Sequence, residues 1–352
     1  MKASLILADG TLFEGESFGF EAPTNGEIVF NTSVNGYPEI LTDPSSRGQI
    51  IVMTYPLIGN YGVQPISHDK YGVTVNAESD HIHAKALIVS DYSEFYSHWN
   101  ATQSLGDWLK AEKITALQGI DTRQLAQHIR NHGTMSAKIV FRNMPKPTEF
   151  TNSNLVDQVS CTEPIVYNEG GKKRVVLLDN GVKAGVLRTL INNDITVVRV
   201  PWNYDFTGME YDGLLISNGP GNPNFMGKAI ENIQKAMETD KPIIGIEMGC
   251  LLFALAAGMD LFKLKFGHHT HNQSVRVCGT DRCLITIQNH NYAIRKDSVM
   301  GGWRVWMENL NDGSVEAIAH TEKPWTAIMF HSEADIIKTD ADFIYNDFFA
   351  KL

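Results

Sequence analysis

Residues 242–255 read Pro242-Ile243-Ile244-Gly245-Ile246-Glu247-Met248-Gly249-Cys250-Leu251-Leu252-Phe253-Ala254-Leu255. Ile243, Ile244 and Ile246 form a short apolar run, the pattern of a strand buried on both faces of a parallel sheet. Gly245 and Gly249 bracket a sharp turn, and helix formers follow from Leu251 to Ala257. Strand, tight turn and helix with G-x-X-x-G spacing is the layout of a nucleophile elbow, in which the side chain at X is held on a strained turn at a helix N-terminus. A nucleophile there is Ser or Cys, because attack on a carbonyl needs an oxygen or sulfur that a neighbouring base can activate. Here X is Glu247.

Outward from this stretch the second half alternates strand and helix. Arg174–Leu178, Thr196–Val200 and Gly213–Ser217 read as strands; Asn180–Asn192, entered through Gly181, and Met226–Thr239 read as helices. This order predicts a doubly wound parallel sheet with its active crevice at the carboxyl ends of the strands. After Gly267 shorter strands are expected: Ser274–Val277, Leu284–Gln288, Val315–His320 and Thr326–Phe330. The first half reads as β-rich. Ala3–Leu7, Thr11–Glu14, Glu27–Asn31, Ile50–Thr54, Ala86–Val89 and Ala137–Phe141 are strand candidates between turn signals such as Asp9-Gly10 and Asn25-Gly26. Two helices are expected, Trp108–Glu112 and Arg123–Asn131, the latter capped at Asp121-Thr122 and stopped at Gly133. The expected division is a β-rich domain at 1–141, a linker at 142–173 and an α/β domain at 174–352, because Pro145, Pro147, Gly170 and Gly171 mark the stretch between.

Composition sets the outer limits. A chain of 352 residues, 43% hydrophobic and 20% charged, is an ordinary globular composition for two domains. A net charge of −10 disfavours nucleic acid as a partner. No apolar run reaches the roughly 18 residues that span a bilayer, and the start does not read as a signal peptide. Four cysteines without a C-x-x-C pair point to a reducing, cytoplasmic setting. His268, His269 and His271 are spaced poorly for tetrahedral coordination, and Asn218-Gly219-Pro220-Gly221 lacks the Lys-Ser/Thr of a phosphate loop. No metal or cofactor is called for.

Several runs together resemble the small subunit of carbamoyl-phosphate synthase across essentially the whole chain. In the first half these are the run from Phe30-Asn31-Thr32-Ser33 to Asp43-Pro44-Ser45, then Thr54-Tyr55-Pro56-Leu57-Ile58-Gly59-Asn60-Tyr61-Gly62 and Gly119-Ile120-Asp121-Thr122-Arg123. In the second they are Leu215 to Pro223, Lys265-Phe266-Gly267-His268-His269 and Gln288-Asn289-His290. The second half alone resembles class I glutamine amidotransferases. The resemblance implies an N-terminal small-subunit domain followed by an amidotransferase-like sheet. It also implies hydrolysis of glutamine, and passage of ammonia to a large ATP-using subunit that makes carbamoyl phosphate for arginine or pyrimidine synthesis.

Carried over by position, the resemblance makes His331 the base and Glu333 its orienting carboxylate in Phe330-His331-Ser332-Glu333-Ala334, with Ser332 where the family has Pro. It sets Ser45, Gly219, Gly221, Met248, Asn289, Asn291 and Tyr292 against glutamine, although Asn291 and Tyr292 are Gly and Phe in the family. The family's elbow reads Gly-Ile-Cys-x-Gly-His-Gln. Here Glu247 replaces the Cys, Cys250 the His, and Leu251 the glutamine-binding Gln.

Attack by a carboxylate would give an anhydride more reactive than the amide being cleaved, and loss of a triad nucleophile costs roughly 10⁶ in turnover in a comparable hydrolase. The expectation is therefore a subunit without glutaminase activity that still docks on a large subunit and supports or regulates its synthesis. Two enzymatic alternatives stand beside it. One is a glutaminase using Cys250, whose thiol a helix N-terminus would acidify; the other is a hydrolase using Glu247 and His331 on another substrate. A third alternative is a structural partner of something unrelated. If the elbow keeps its geometry, Glu247 is expected within hydrogen-bond reach of His331.

Overall fold

The computed structural model describes residues 1–148, 150, 153–333 and 340–352. Ala334, the last residue of the His331 run, lies outside the described residues. The chain divides into two units: residues 1–69, 74–152 and 265–269 form the first, and residues 70–73, 153–264 and 270–352 the second.

The first unit is a closed seven-stranded barrel. In order around the ring it runs Lys2–Leu7, Met135–Phe141, Thr24–Asn31, Gln49–Met53, Ala86–Ile88, Thr115–Gln118 and Leu12–Ser17. Lys2–Leu7 alternates inward and outward, with Ala3, Leu5 and Leu7 buried, as a strand with one covered face must. Gln49–Met53 is buried along its whole length, because one cluster holds Ile50 and Val52 and another holds Ile51 and Met53. Thr24–Asn31, Gln49–Met53, Ala86–Ile88 and Thr115–Gln118 are mutually parallel, an arrangement that hides both faces. The helix Thr122–His132 begins where Asp121 Oδ1 accepts from Gln124 N–H at 2.9 Å and ends at Gly133, φ 96°. The expected stop and start are both in place. The short helix Tyr37–Thr42 is not legible from spacing, since Pro38 sits inside its first turn.

The second unit is a ten-stranded sheet. Five strands are parallel, in the order Ile195–Pro201, Lys173–Asp179, Gly213–Ile216, Ile243–Ile246 and Trp325–Ile328. Val175 and Leu177 enter one apolar cluster and Val176 and Leu178 the other, so alternation is invisible in a sequence where both faces are buried. Helices Gly227–Met237 and Met248–Ala256 contribute to one cluster; Ala184–Asn192 and Phe343–Lys351 contribute to the other. This is the α/β class expected.

Differences fall beyond Gly258. In place of short strands there are two long ones, Leu261–Val277 and Cys283–Ile294, and a further strand, Trp303–Asn309. These extend the sheet antiparallel from Val315–His320. Buried polar residues such as Thr270, Gln273, Thr286 and Gln288 interrupt the apolar pattern there. Within 142–173, the chain forms a 3₁₀ turn at Val156–Gln158 and a strand at Ile165–Tyr167, which pairs with Ile195–Pro201. The change from first to second unit falls between residues 152 and 153, and residues 265–269 return to the first.

Candidate active site

The candidate site is assembled at the carboxyl ends of four neighbouring parallel strands, where ligands collect in doubly wound sheets. Glu247 follows Ile243–Ile246 with φ 51° and ψ −106°, a backbone region that a side chain enters only when its surroundings force it. They do so here. A Cβ on Gly245 would sit 2.6 Å from the Gly249 carbonyl oxygen, and one on Gly249 would overlap the Ile216 carbonyl. Both positions must be glycine for the turn to pass. Glu247 N–H donates to Ile328 O at 2.7 Å and Leu251 N–H to Glu247 O at 3.1 Å, fixing the elbow between the adjacent strand and the helix behind it. The elbow geometry read from the sequence is present.

The loop after Gly213–Ile216 carries Gly219 and Gly221. Asn180 shapes it, donating from its backbone N–H to Ser217 Oγ at 2.9 Å and from Nδ2 to Ser217 O at 3.0 Å. A side chain on Gly219 would overlap the Asn180 carbonyl, and Gly221 has φ 92°. The Gly219 N–H donates to Glu247 Oε2 at 3.2 Å, with both residues buried. An amide aimed at X is what an acyl-transfer site uses to hold a developing oxyanion. Here it holds a carboxylate that belongs to the protein.

His331 and Glu333 follow Trp325–Ile328. His331 N–H donates to Ile287 O at 2.9 Å, and its Nδ1 lies 2.9 Å from Glu333 Oε1. Lys183 Nζ reaches the same oxygen at 3.1 Å, and all three side chains are at most 8% exposed. Burial alone would raise the Glu333 carboxyl. The Lys183 ammonium and the His331 ring beside it reverse this and hold it well below the usual carboxylate range. Lys183 is absent from the sequence-derived set. Asp179 places it: Oδ1 of this buried carboxylate accepts from Gly181 N–H at 3.0 Å and Val182 N–H at 2.9 Å, folding the loop that delivers Lys183. A lysine four residues past a buried strand was the available signal.

Cys250 corrects one alternative. It is fully buried in the apolar cluster beside Leu251 and Leu252, and burial, with the Glu316 charge, pushes its thiol well up. The expected acidification by the helix N-terminus is outweighed by desolvation, so the thiol is held in its unreactive form. Leu251 packs in the same cluster, as does Met248, and Tyr292 packs against it. Asn289 and Asn291 lie two residues apart on Cys283–Ile294 and are half-buried. That strand is anchored from its other face, where Gln288 Nε2 and Asn309 Nδ2 donate to the buried Glu316 at 3.0 and 2.7 Å. Ser45 lies in the first unit, buried in a 3₁₀ turn with its N–H on Asp43 Oδ1 at 2.9 Å. His268 and His269 are neighbours on an extended strand, so their rings project to opposite faces.

Fold and elbow together define a class I glutamine amidotransferase unit, distinct from the β-barrel unit, and comparison with known proteins agrees. Residues 176–351 match the class I glutamine amidotransferase family, and residues 5–139 match the CPSase domain of the carbamoyl-phosphate synthase small chain. The carbamoyl phosphate synthase small chain of Pyrococcus furiosus is 40% identical over 99% of this chain and 96% of its own length. The chain therefore belongs to the carbamoyl-phosphate synthase small-chain family. It is also 42% identical to the human mitochondrial carbamoyl-phosphate synthase [ammonia] and to the multifunctional protein CAD of Squalus acanthias. It spans 23% and 15% of those two proteins.

Proposed function

We propose that this chain is the small-subunit component of a carbamoyl-phosphate synthase whose glutaminase site is disabled, and that it docks on a large ATP-using subunit or domain working from free ammonia. The observation that carries this reading is Glu247: the elbow is built as for a nucleophile, yet its carboxylate is drawn onto the Gly219 N–H. A carboxylate there fails twice. It cannot form a usable acyl intermediate, and it occupies the donor that a tetrahedral oxyanion would need. The apolar burial of Cys250 speaks against a relocated thiol, and Leu251 offers no amide with which to hold the glutamine side chain. Relatives of 42–43% identity, among them the human and Aquarana catesbeiana proteins, are named for ammonia, which fits a small-chain region that no longer supplies it.

The test is ammonia release from glutamine by the purified chain, alone and with its matching large subunit. Background rates in both, with carbamoyl phosphate formed from ammonium salts in the complex, are the expected result. Robust glutamine turnover by the unmodified chain would overturn the reading.

A further inference from the structure

A cavity of about 430 Å³ opens in the first unit, a size typical of small-ligand sites. It lies past the carboxyl ends of the four parallel barrel strands, since Thr32, Thr54, Ser90 and Asp121 come from the segments that leave them. The remaining wall is a stripe of the Thr122–His132 helix, where Arg123, Ala126, Gln127 and Arg130 stand at i, i+3, i+4 and i+7. That spacing puts them on one face, with the backbone positions of Arg123 and Arg130 about 10 Å apart along the axis. Both arginines are exposed, and neither guanidinium has a hydrogen bond or ion pair among the described residues.

Two uncompensated cations around one cavity stand out on a chain of net charge −10. The one carboxylate in the wall, Asp121, is engaged in capping Gln124 N–H at 2.9 Å. The rest of the lining combines apolar Phe30, Pro56 and Ala126 with the hydroxyl residues Thr32, Thr54, Ser90 and Thr122. Phe30, Thr54 and Asp121 come from the three first-half runs set apart in the sequence, and the reading of the glutaminase site makes no use of these three residues.

We infer that this cavity binds a small two-ended anion, a sugar bisphosphate or dicarboxylate, with one anionic group on Arg123, the other on Arg130 and the carbon frame over Phe30 and Pro56. Guanidinium forks suit both phosphate and carboxylate, and the spacing selects for length. Isothermal titration of the full chain at low salt tests this with fructose 1,6-bisphosphate, adipate and inorganic phosphate as probes. One two-ended probe is expected to bind at a single site, at least about tenfold tighter than inorganic phosphate. Arg123→Ala and Arg130→Ala should each weaken it by about tenfold, the scale of one charge-assisted hydrogen bond; both residues are exposed and their loss leaves the core intact. The relative affinity of bisphosphate and dicarboxylate identifies the head group. No saturable binding of either two-ended probe, unchanged affinity in both arginine variants, or preferential binding of a hexaglutamate peptide would overturn the inference, the last pointing to an acidic protein segment instead.

Discussion

Glu247 holds about 1–3 kcal/mol of backbone strain at φ 51°, and its carboxylate is buried with Gly219 N–H as a partner. Glu247→Cys is therefore expected to fold and to hydrolyse glutamine hardly above background, because Leu251 offers the substrate no hydrogen bond. Glu247→Cys with Leu251→Gln should turn over faster, using His331 and Glu333 already in place. Its amide enters an apolar cluster, so a loss of about 1–3 kcal/mol is expected; steady-state assay and thermal unfolding read the two effects separately. Glu333 gives a pH dependence. Its depressed carboxyl adds stability that is full above the unfolded-state carboxylate pKa and is lost as the pH falls through the folded one. Urea midpoints should fall between about pH 5 and about pH 3 more steeply in the native protein than in Glu333→Gln. Lys183→Met alone leaves a buried carboxylate with one partner fewer, a loss of about 3–5 kcal/mol, and adding Glu333→Leu should recover most of it. Glu247, His331 and Glu333 could be singled out because the runs around them carry the family resemblance, and His331 and Glu333 do lie side by side. Lys183 was not, since a lysine in a loop has the pattern of a surface cation until the buried charge it serves is located.

At the scale of elements, the strand–turn–helix from Ile243 to Ala256 was legible throughout, because glycine spacing and apolar run length agree. Gly249→Ala tests how tight the packing is. The added methyl would overlap the Ile216 carbonyl, backbone that cannot swing aside, and a loss near 3 kcal/mol is expected in chemical denaturation. A near-neutral result would mean that the helix can slide on the sheet. The hairpin of Leu261–Val277 and Cys283–Ile294 was legible only in fragments. Its inward positions include His268, Thr270, Gln273, Gln288 and His290, polar residues whose burial depends on partners elsewhere in the chain. The Gln288–Glu316–Asn309 bonds illustrate why: each member reads as surface until the other two are placed.

For the whole molecule, two units could be anticipated, but not their membership. A linear reading assigns the chain in consecutive blocks, whereas residues 70–73 belong to the second unit and 265–269 to the first. Such exchanges leave no mark in composition. The closed ring of the first unit has a further consequence, for association. All seven of its strands are paired on both sides, so it has no unpaired rim on which another chain could add a strand. In the second unit the sheet stops at Ile165–Tyr167, three residues long, with Ile165 37% and Val166 47% exposed. This rim is an open edge of the ten-stranded sheet at which unwanted self-templating at high concentration could start, and its short length limits it. Val166→Lys should slow aggregation in light scattering without moving the unfolding temperature, whereas the same charge placed outward on any barrel strand should leave the aggregation rate as it was.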